Sequence, residues 1–344
     1  MQVPSVEQVT PGLWSLPVPI PNNPLGYTLV YLFETRRGPV LVDAGWDDPS
    51  SWDALCAGIA ATGHDVTDVY GVLSTHHHPD HHGMTGRVRE ASGCWVALHP
   101  LDNEIVARHD EIHDTEQWLQ QQWAALLDAG ADEADLGPPP APGGWRRPNH
   151  GVVADVSLAD GMRVDVPGWE VVAVWTPGHS PGHTCFYVRG PDVLCAGDHV
   201  LPVITPNIGL FVAEDPARDP LGDFFRSLRK VATLPATEVL PAHQRRFRGL
   251  PTRVAELLEF HLNRLRAIER TLAAGPRSTW EIASAMPWNR RWEDIPPMMK
   301  RLAISEALAH IRYLERLGRV ELVRDLAPTT FRLTARAAEQ PLAV

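Results

Sequence analysis

The chain is poor in lysine: Lys230 and Lys300 stand alone among 31 basic residues, and the rest are arginine. That bias reads as genomic composition, not mechanism. Cysteine is scarce too. The four cysteines, at positions 56, 94, 185 and 195, form no Cys-x-x-Cys pair, so neither a disulfide framework nor a thiolate metal knuckle is expected. Cys185 and Cys195 lie in apolar strand-like runs and read as core filler. No apolar stretch approaches the roughly 18 residues of a membrane span. The first residues lack both a basic region and an apolar signal core, so a cytoplasmic location is the default expectation. A net charge of −11 argues against broad nucleic-acid affinity, although residues 251–344 carry a local positive excess.

Histidine, by contrast, is abundant, with 16 in the chain. Residues 76–81 read His-His-His-Pro-Asp-His and contain the pattern His76-x-His78-x-Asp80-His81. Unpaired polar groups cost several kcal/mol in an apolar interior, so this run cannot be an ordinary core strand. It follows the apolar run 69–73 and belongs on the loop at that strand's end, where site residues commonly sit. His76 with His78 could hold one cation, and Asp80 with His81 a second. Zinc accepts imidazole nitrogen and carboxylate oxygen. Three further apolar runs end in turns with ligand-type residues: 171–175 before Thr176-Pro177-Gly178-His179, 193–196 before Gly197-Asp198-His199, and 239–240 before Pro241-Ala242-His243.

In this ordered set the chain resembles the metallo-β-lactamase superfamily. The run from Thr176 to Thr184 and the turn Val42-Asp43-Ala44-Gly45 carry the same resemblance, which covers about residues 8–250. It implies an α/β fold, an αββα sandwich of two sheets with helices outside. It also implies a dinuclear site. One ion would take His76, His78 and His179; the other would take Asp80, His81 and His243; Asp198 would bridge them. A hydroxide held between two such ions is a nucleophile near neutral pH, which gives Asp80 and Asp198 catalytic roles. Two Zn2+ are the default cofactors, and iron or manganese would fit the same donors. Asp43, His183 and His199 are candidates for tuning the ligands from behind. His77 and His82 read as facing such partners or solvent. His64, His99, His109, His113, His150, His261 and His310 read as surface or loop residues. Relatives often carry glycine at 242 or 244, where this chain has Ala242 and Gln244.

The expected organisation is a catalytic domain over 1–250 and an appendage over 251–344. Residues 101–150 look like an insertion, with a helix over 114–128 and a proline-rich run from 137. Trp118, Trp123 and Trp145 give it an apolar face suited to a lid. After residue 250 the patterning predicts helices over 254–274, from Ser278-Thr279-Trp280-Glu281 onward, and over 300–317, then a hairpin over 319–333. That order resembles a winged helix.

The metal set defines hydrolysis but not the substrate. A small acyl compound (thioester, lactone or ester) is the favoured substrate, with Arg245, Arg246 and Arg248 available to an anionic carrier. RNA phosphodiester hydrolysis is the alternative, motivated by the appendage. β-Lactam hydrolysis and mononuclear-iron dioxygenase chemistry rank lower. No membrane partner is expected, and the helical appendage is compatible with a homodimer.

Overall fold

The computed structural model describes residues 3–108, 116–137, 151–210, 217–323 and 328–342. They fall into two compact units. The first comprises residues up to 108, 151–206 and 227–254; the second comprises 116–137, the described parts of 207–226, and the chain from 255 onward.

Two sheets form the first unit. One runs in the order β1 (Glu7–Thr10), β2 (Leu13–Pro19), β3 (Tyr27–Phe33), β4 (Val40–Val42), β5 (Gly71–Leu73), β6 (Trp95–Leu98) and β7 (Val156–Ser157). The other runs β12 (Glu238–Pro241), β11 (Val193–Gly197), β10 (Thr184–Arg189), β9 (Glu170–Trp175) and β8 (Arg163–Val164). Strand side chains alternate between faces, and β3 uses both. Leu29, Tyr31 and Phe33 join a core that also holds Ala173, Phe186, Val188, Cys195 and Leu240 of the other sheet. Val30 and Leu32 point the other way, into a core with Leu55, Ile59 and Val88. Those three come from α1 (Pro49–Ala61) and α3 (Thr85–Ser92), so helices cover the outer face of this sheet. Asp48 caps α1 by accepting from Ser50 N, with Pro49 next to the cap. Helix α2 (Pro79–His82) is one short turn inside the histidine run, and α4 (Pro100–Ala107) follows β6.

Strand direction places the loops. β4 and β5 are parallel, as are β11 and β12. β9 and β11 are each antiparallel to the intervening β10, so their C-termini share one edge. The loops after β4, β5, β9, β11 and β12 therefore leave their sheets at C-terminal ends.

The second unit contains α5 (Glu116–Asp128), α6 (Glu133–Leu136), the first half of α7 (Pro220–Ala232) and most of α8 (Leu250–Leu272). It continues with β13 (Arg277–Ser278), α9 (Thr279–Ala285), α10 (Pro297–Arg316), β14 (Val320–Val323), β15 (Thr330–Leu333) and α11 (Ala335–Glu339). The capping box at Ser278 and Glu281 is present, and β13, β15 and β14 make a three-stranded sheet. Strand β13 is an addition to the expected hairpin.

The division differs from the expected one at residue 250 because of where α5 ends. Ala129 O accepts from Trp280 N and Asp128 O from Thr329 N, both at 2.9 Å, which stitches residues 128–129 into the second unit. The proline-rich run from 138, with Trp145, His109, His113 and His150, lies outside the described residues, as does the side chain of Trp118. One expectation fails outright. His261 and His310 are not surface residues: both are fully buried, on α8 and α10.

Candidate metal centre

The loop after β5 carries the histidine run. Its backbone is fixed from behind by Asp43, which follows β4 and adopts φ +65°. An aspartate tolerates that left-handed conformation better than most side chains. Asp43 Oδ1 accepts from Thr75 N at 2.7 Å, and Oδ2 accepts from Thr75 Oγ1 at 3.0 Å. His81 Nδ1 lies 2.8 Å from the same Oδ2. With Nδ1 donating to that carboxylate, Nε2 of His81 is the nitrogen turned to the site, free to ligate a cation once its proton is lost.

All seven predicted donors converge. His76, His78 and His179 present atoms within 4.8 Å of one another, and so do Asp80, His81 and His243. His78 Nδ1 is 2.9 Å from His76 Nε2 and 3.0 Å from His179 Nε2. His243 Nε2 is 3.3 Å from Asp80 Oδ2, and His243 Nδ1 donates to the Tyr27 carbonyl at 2.9 Å. Asp198 stands between the groups. Its Oδ1 lies 3.2 Å from His243 Nε2 and 3.5 Å from His81 Nε2, while its Oδ2 lies 3.5 Å from His179 Nε2.

Electrostatics divides the set. Burial, reinforced by the neighbouring imidazoles, holds His76 well below its ordinary pKa. Burial also penalises the charged forms of His81 and His243. For them Asp80 and Asp198 prevail, so His81 is held well above its ordinary value and His243 is raised to about 10. Asp198 is held well below the usual carboxylate range: burial opposes ionisation, but His243 and His81 outweigh it. His81 Nε2, His243 Nε2 and Asp198 Oδ1 are buried and make no hydrogen bond among the described residues. Buried polar atoms are rarely left so, and three of them aimed at one point fit a divalent cation.

Residues behind the donors account for the rest. His183 Nε2 accepts from Asp198 N at 3.2 Å, and its Nδ1 bonds Thr176 Oγ1 at 2.8 Å, so His183 orients the loop bearing Asp198. His199 is fully buried, with its ring 5.9 Å from that of His183. His82 is buried between Ser74 Oγ and the Val152 carbonyl, and burial pushes it down to about 4. Gln244 sits at φ +72°, a conformation that favours glycine. Its side chain accepts from Val203 N at 3.1 Å, and its carbonyl from Tyr27 Oη at 2.7 Å. Arg246 is paired with Glu238 and Glu7 and so is not free for a ligand.

Asp102 escapes a reading of the sequence. This fully buried carboxylate accepts from His77 N, His77 Nδ1, Ser180 Oγ and Gly182 N. In the sequence it is one acidic residue early in a helix, after His99-Pro100. Its only signal is that position, directly after a strand that neighbours β5.

A separate group, His261, Glu306 and His310, also lies within metal-binding reach, in the second unit. Its own bonds account for all of it but His261 Nε2, which makes no hydrogen bond among the described residues. His310 Nδ1 donates to the Glu306 carbonyl at 2.7 Å, His261 Nδ1 is 3.0 Å from His310 Nε2, and Arg264 takes the Glu306 carboxylate. A dication there would face the Arg264 guanidinium in a buried setting, where repulsion is least screened.

A model of the metallo-beta-lactamase superfamily matches residues 23–243, the stretch that contains this centre. The chain belongs to that superfamily. It is 28% identical over 281 residues to the lactamase-like protein adaB of Aspergillus niger, covering 80% of this chain and 68% of that protein. It is 24% identical over 324 residues to the probable metallo-hydrolase YqjP of Bacillus subtilis, covering 89% and 93%. Among solved structures it is similar to the metallo-beta-lactamase family protein TTHA1429 of Thermus thermophilus, with a TM-score of 0.78 and 30% identity over 95% of this chain and all of that one. A beta-lactamase domain protein from Burkholderia ambifaria superposes with a TM-score of 0.76 at 25% identity, covering 96% and 95%.

Proposed function

We propose that the protein is a hydrolase with a dinuclear metal centre, acting on a small acyl compound: a thioester, lactone or ester. The observation that carries this reading is Asp198, one carboxylate within 3.5 Å of donors from both three-residue groups. His76, His78 and His179 would hold one ion, and Asp80, His81 and His243 the other, with Asp198 shared. Zinc is the first choice for this imidazole-rich set, and iron or manganese suits the same donors. Divalent ions supply Lewis acidity and bring a water's pKa toward neutrality.

The chain's own residues do the rest. Asp43 fixes the His81 tautomer, Tyr27 O fixes that of His243, and His183 holds Asp198 in place. None of the buried histidines behind the donors is a ready proton donor, since burial keeps His82, His183 and His199 neutral. A thiolate departs with little acid assistance, which favours thioesters among acyl substrates. The names of the relatives, lactamase-like protein and probable metallo-hydrolase, agree with hydrolysis.

RNA hydrolysis is the second reading, motivated by the helix–strand–helix–helix–hairpin order of residues 250–333, an order that we read as resembling a winged helix. Pairing weighs against it. Arg264, Arg319 and Arg332 are engaged with Glu306, Glu269 and Glu321 and are not available as a free phosphate-binding row. The test is turnover of acyl thioesters, lactones and single-stranded RNA by one preparation. Thioester or lactone turnover supports the acyl reading; cleavage of RNA alone replaces it with the second.

A further inference from the structure

The first metal group is assembled from two loops that meet across the sheets. His76 and His78 come from the loop after β5, and His179 comes from the loop after β9. Neither loop has a regular hydrogen-bond ladder with the other at the donors. Besides one backbone bond at their base, Thr184 N to the Thr75 carbonyl at 2.8 Å, the side chain that joins them at the donors is Asp102, near the start of α4. Its Oδ2 accepts from His77 N and His77 Nδ1, each at 3.0 Å, and from Ser180 Oγ at 2.7 Å. Its Oδ1 accepts from Gly182 N. His77 lies between His76 and His78, and Ser180 follows His179, so Asp102 holds a chain neighbour of every donor in this group. None of its partners adjoins Asp80, His81 or His243, whose anchors are Asp43 and the Tyr27 carbonyl. Gly182 leaves room for this arrangement: a Cβ there would lie 2.7 Å from Asp102 Cγ.

From this geometry we propose that Asp102 is a positioning residue that sets the spacing of His76, His78 and His179, and thereby the affinity of one metal ion selectively over the other. The proposal rests on the dinuclear reading. Four hydrogen bonds to one ionised carboxylate are strong and directional. Replacing the carboxylate with an amide keeps its shape but turns one acceptor into a donor. That donor faces N–H or O–H groups on either side, so the two loops must separate. Residues behind metal ligands typically change affinity by about 10- to 100-fold when altered.

The experiment is Zn2+ competition against a chromophoric chelator, read as two binding constants per chain, on the full chain and on Asp102→Asn. The expected result is one ion weakened at least about tenfold and the other within about threefold. The same substitution in a His243→Ala background, which leaves only the first group intact, is expected to weaken the remaining ion by the same factor. Should Asp102→Asn fail to fold, Ser180→Ala removes a single donor and is expected to give a smaller loss confined to the same ion. Equal weakening of both ions, or of neither, overturns the proposal while leaving the dinuclear reading standing. A wild-type chain that takes up no Zn2+ overturns both.

Discussion

His81 and Asp43 form a buried imidazole–carboxylate pair, Nδ1 to Oδ2 at 2.8 Å, with His81 Nε2 turned to the centre. The pair joins the end of β4 to the short helix α2, and the same carboxylate fixes Thr75 at the start of the histidine run. Asp43→Asn preserves the left-handed backbone, which asparagine tolerates, but weakens the bond that selects the tautomer. The expected outcome is a loss of about 10- to 100-fold in affinity for the ion that Asp80, His81 and His243 would hold. Chelator competition measures it, and unchanged affinity would contradict the role given to Asp43.

Loading the centre should expel protons. Without a cation, Asp80 and Asp198 hold His81 above its ordinary value and His243 at about 10, so both are charged near neutrality. Ligation requires neutral imidazoles, so about two protons leave per chain. The sign follows: metal affinity falls as pH falls. In the metal-free chain, the stability these two groups contribute is complete below 6.5 and is lost as pH rises toward 10 for His243. Calorimetric titration in two buffers of different ionisation enthalpy reads the protons directly; identical apparent enthalpies would refute the release.

His310 makes the opposite pH prediction. Burial, then the nearby Arg264 charge, pushes it down to about 3 from an ordinary 6.5. The unfolded chain therefore binds a proton that the folded chain refuses. The associated stability is complete above 6.5 and is lost as pH falls toward 3. His310→Gln should lower stability at pH 7 but flatten its decline between about pH 6.5 and 4. Urea midpoints across that range test this, and parallel slopes for the two proteins would count against it.

Gln244→Gly should separate backbone strain from hydrogen bonding. Glycine relieves the φ +72° conformation, worth about 1 kcal/mol, but removes the acceptor for Val203 N and Ile204 N. These nearly cancel, so the melting temperature should move little while the amides of Val203 and Ile204 exchange faster. A large stability change with unaltered exchange would show that the side chain matters for another reason.

Most of the centre is legible in the sequence because its donors are the residues that end apolar strands: His76 after β5, His179 after β9, Asp198 after β11 and His243 after β12. Asp43 is legible for the same reason. Asp102 is not, since an acid early in a helix usually serves the helix itself, and nothing in the sequence tells that its partners are His77, Ser180 and Gly182. His261 could have been read correctly. It shares a helical stripe with Leu257, Leu265 and Ile268, all buried, and that spacing marks an inward face. The extent of the second unit is harder. The bonds from Ala129 to Trp280 and from Asp128 to Thr329 join residues far apart in the chain, and composition carries no trace of such pairings.

The most direct test of the dinuclear centre is elemental analysis of the purified chain beside its Asp198→Asn variant, with acyl-thioester turnover followed on the same samples. The expected result is two divalent ions per wild-type chain, fewer in the variant, and turnover that falls with occupancy. One iron per chain with oxygen consumption, or full thioester turnover after complete metal removal, would contradict it.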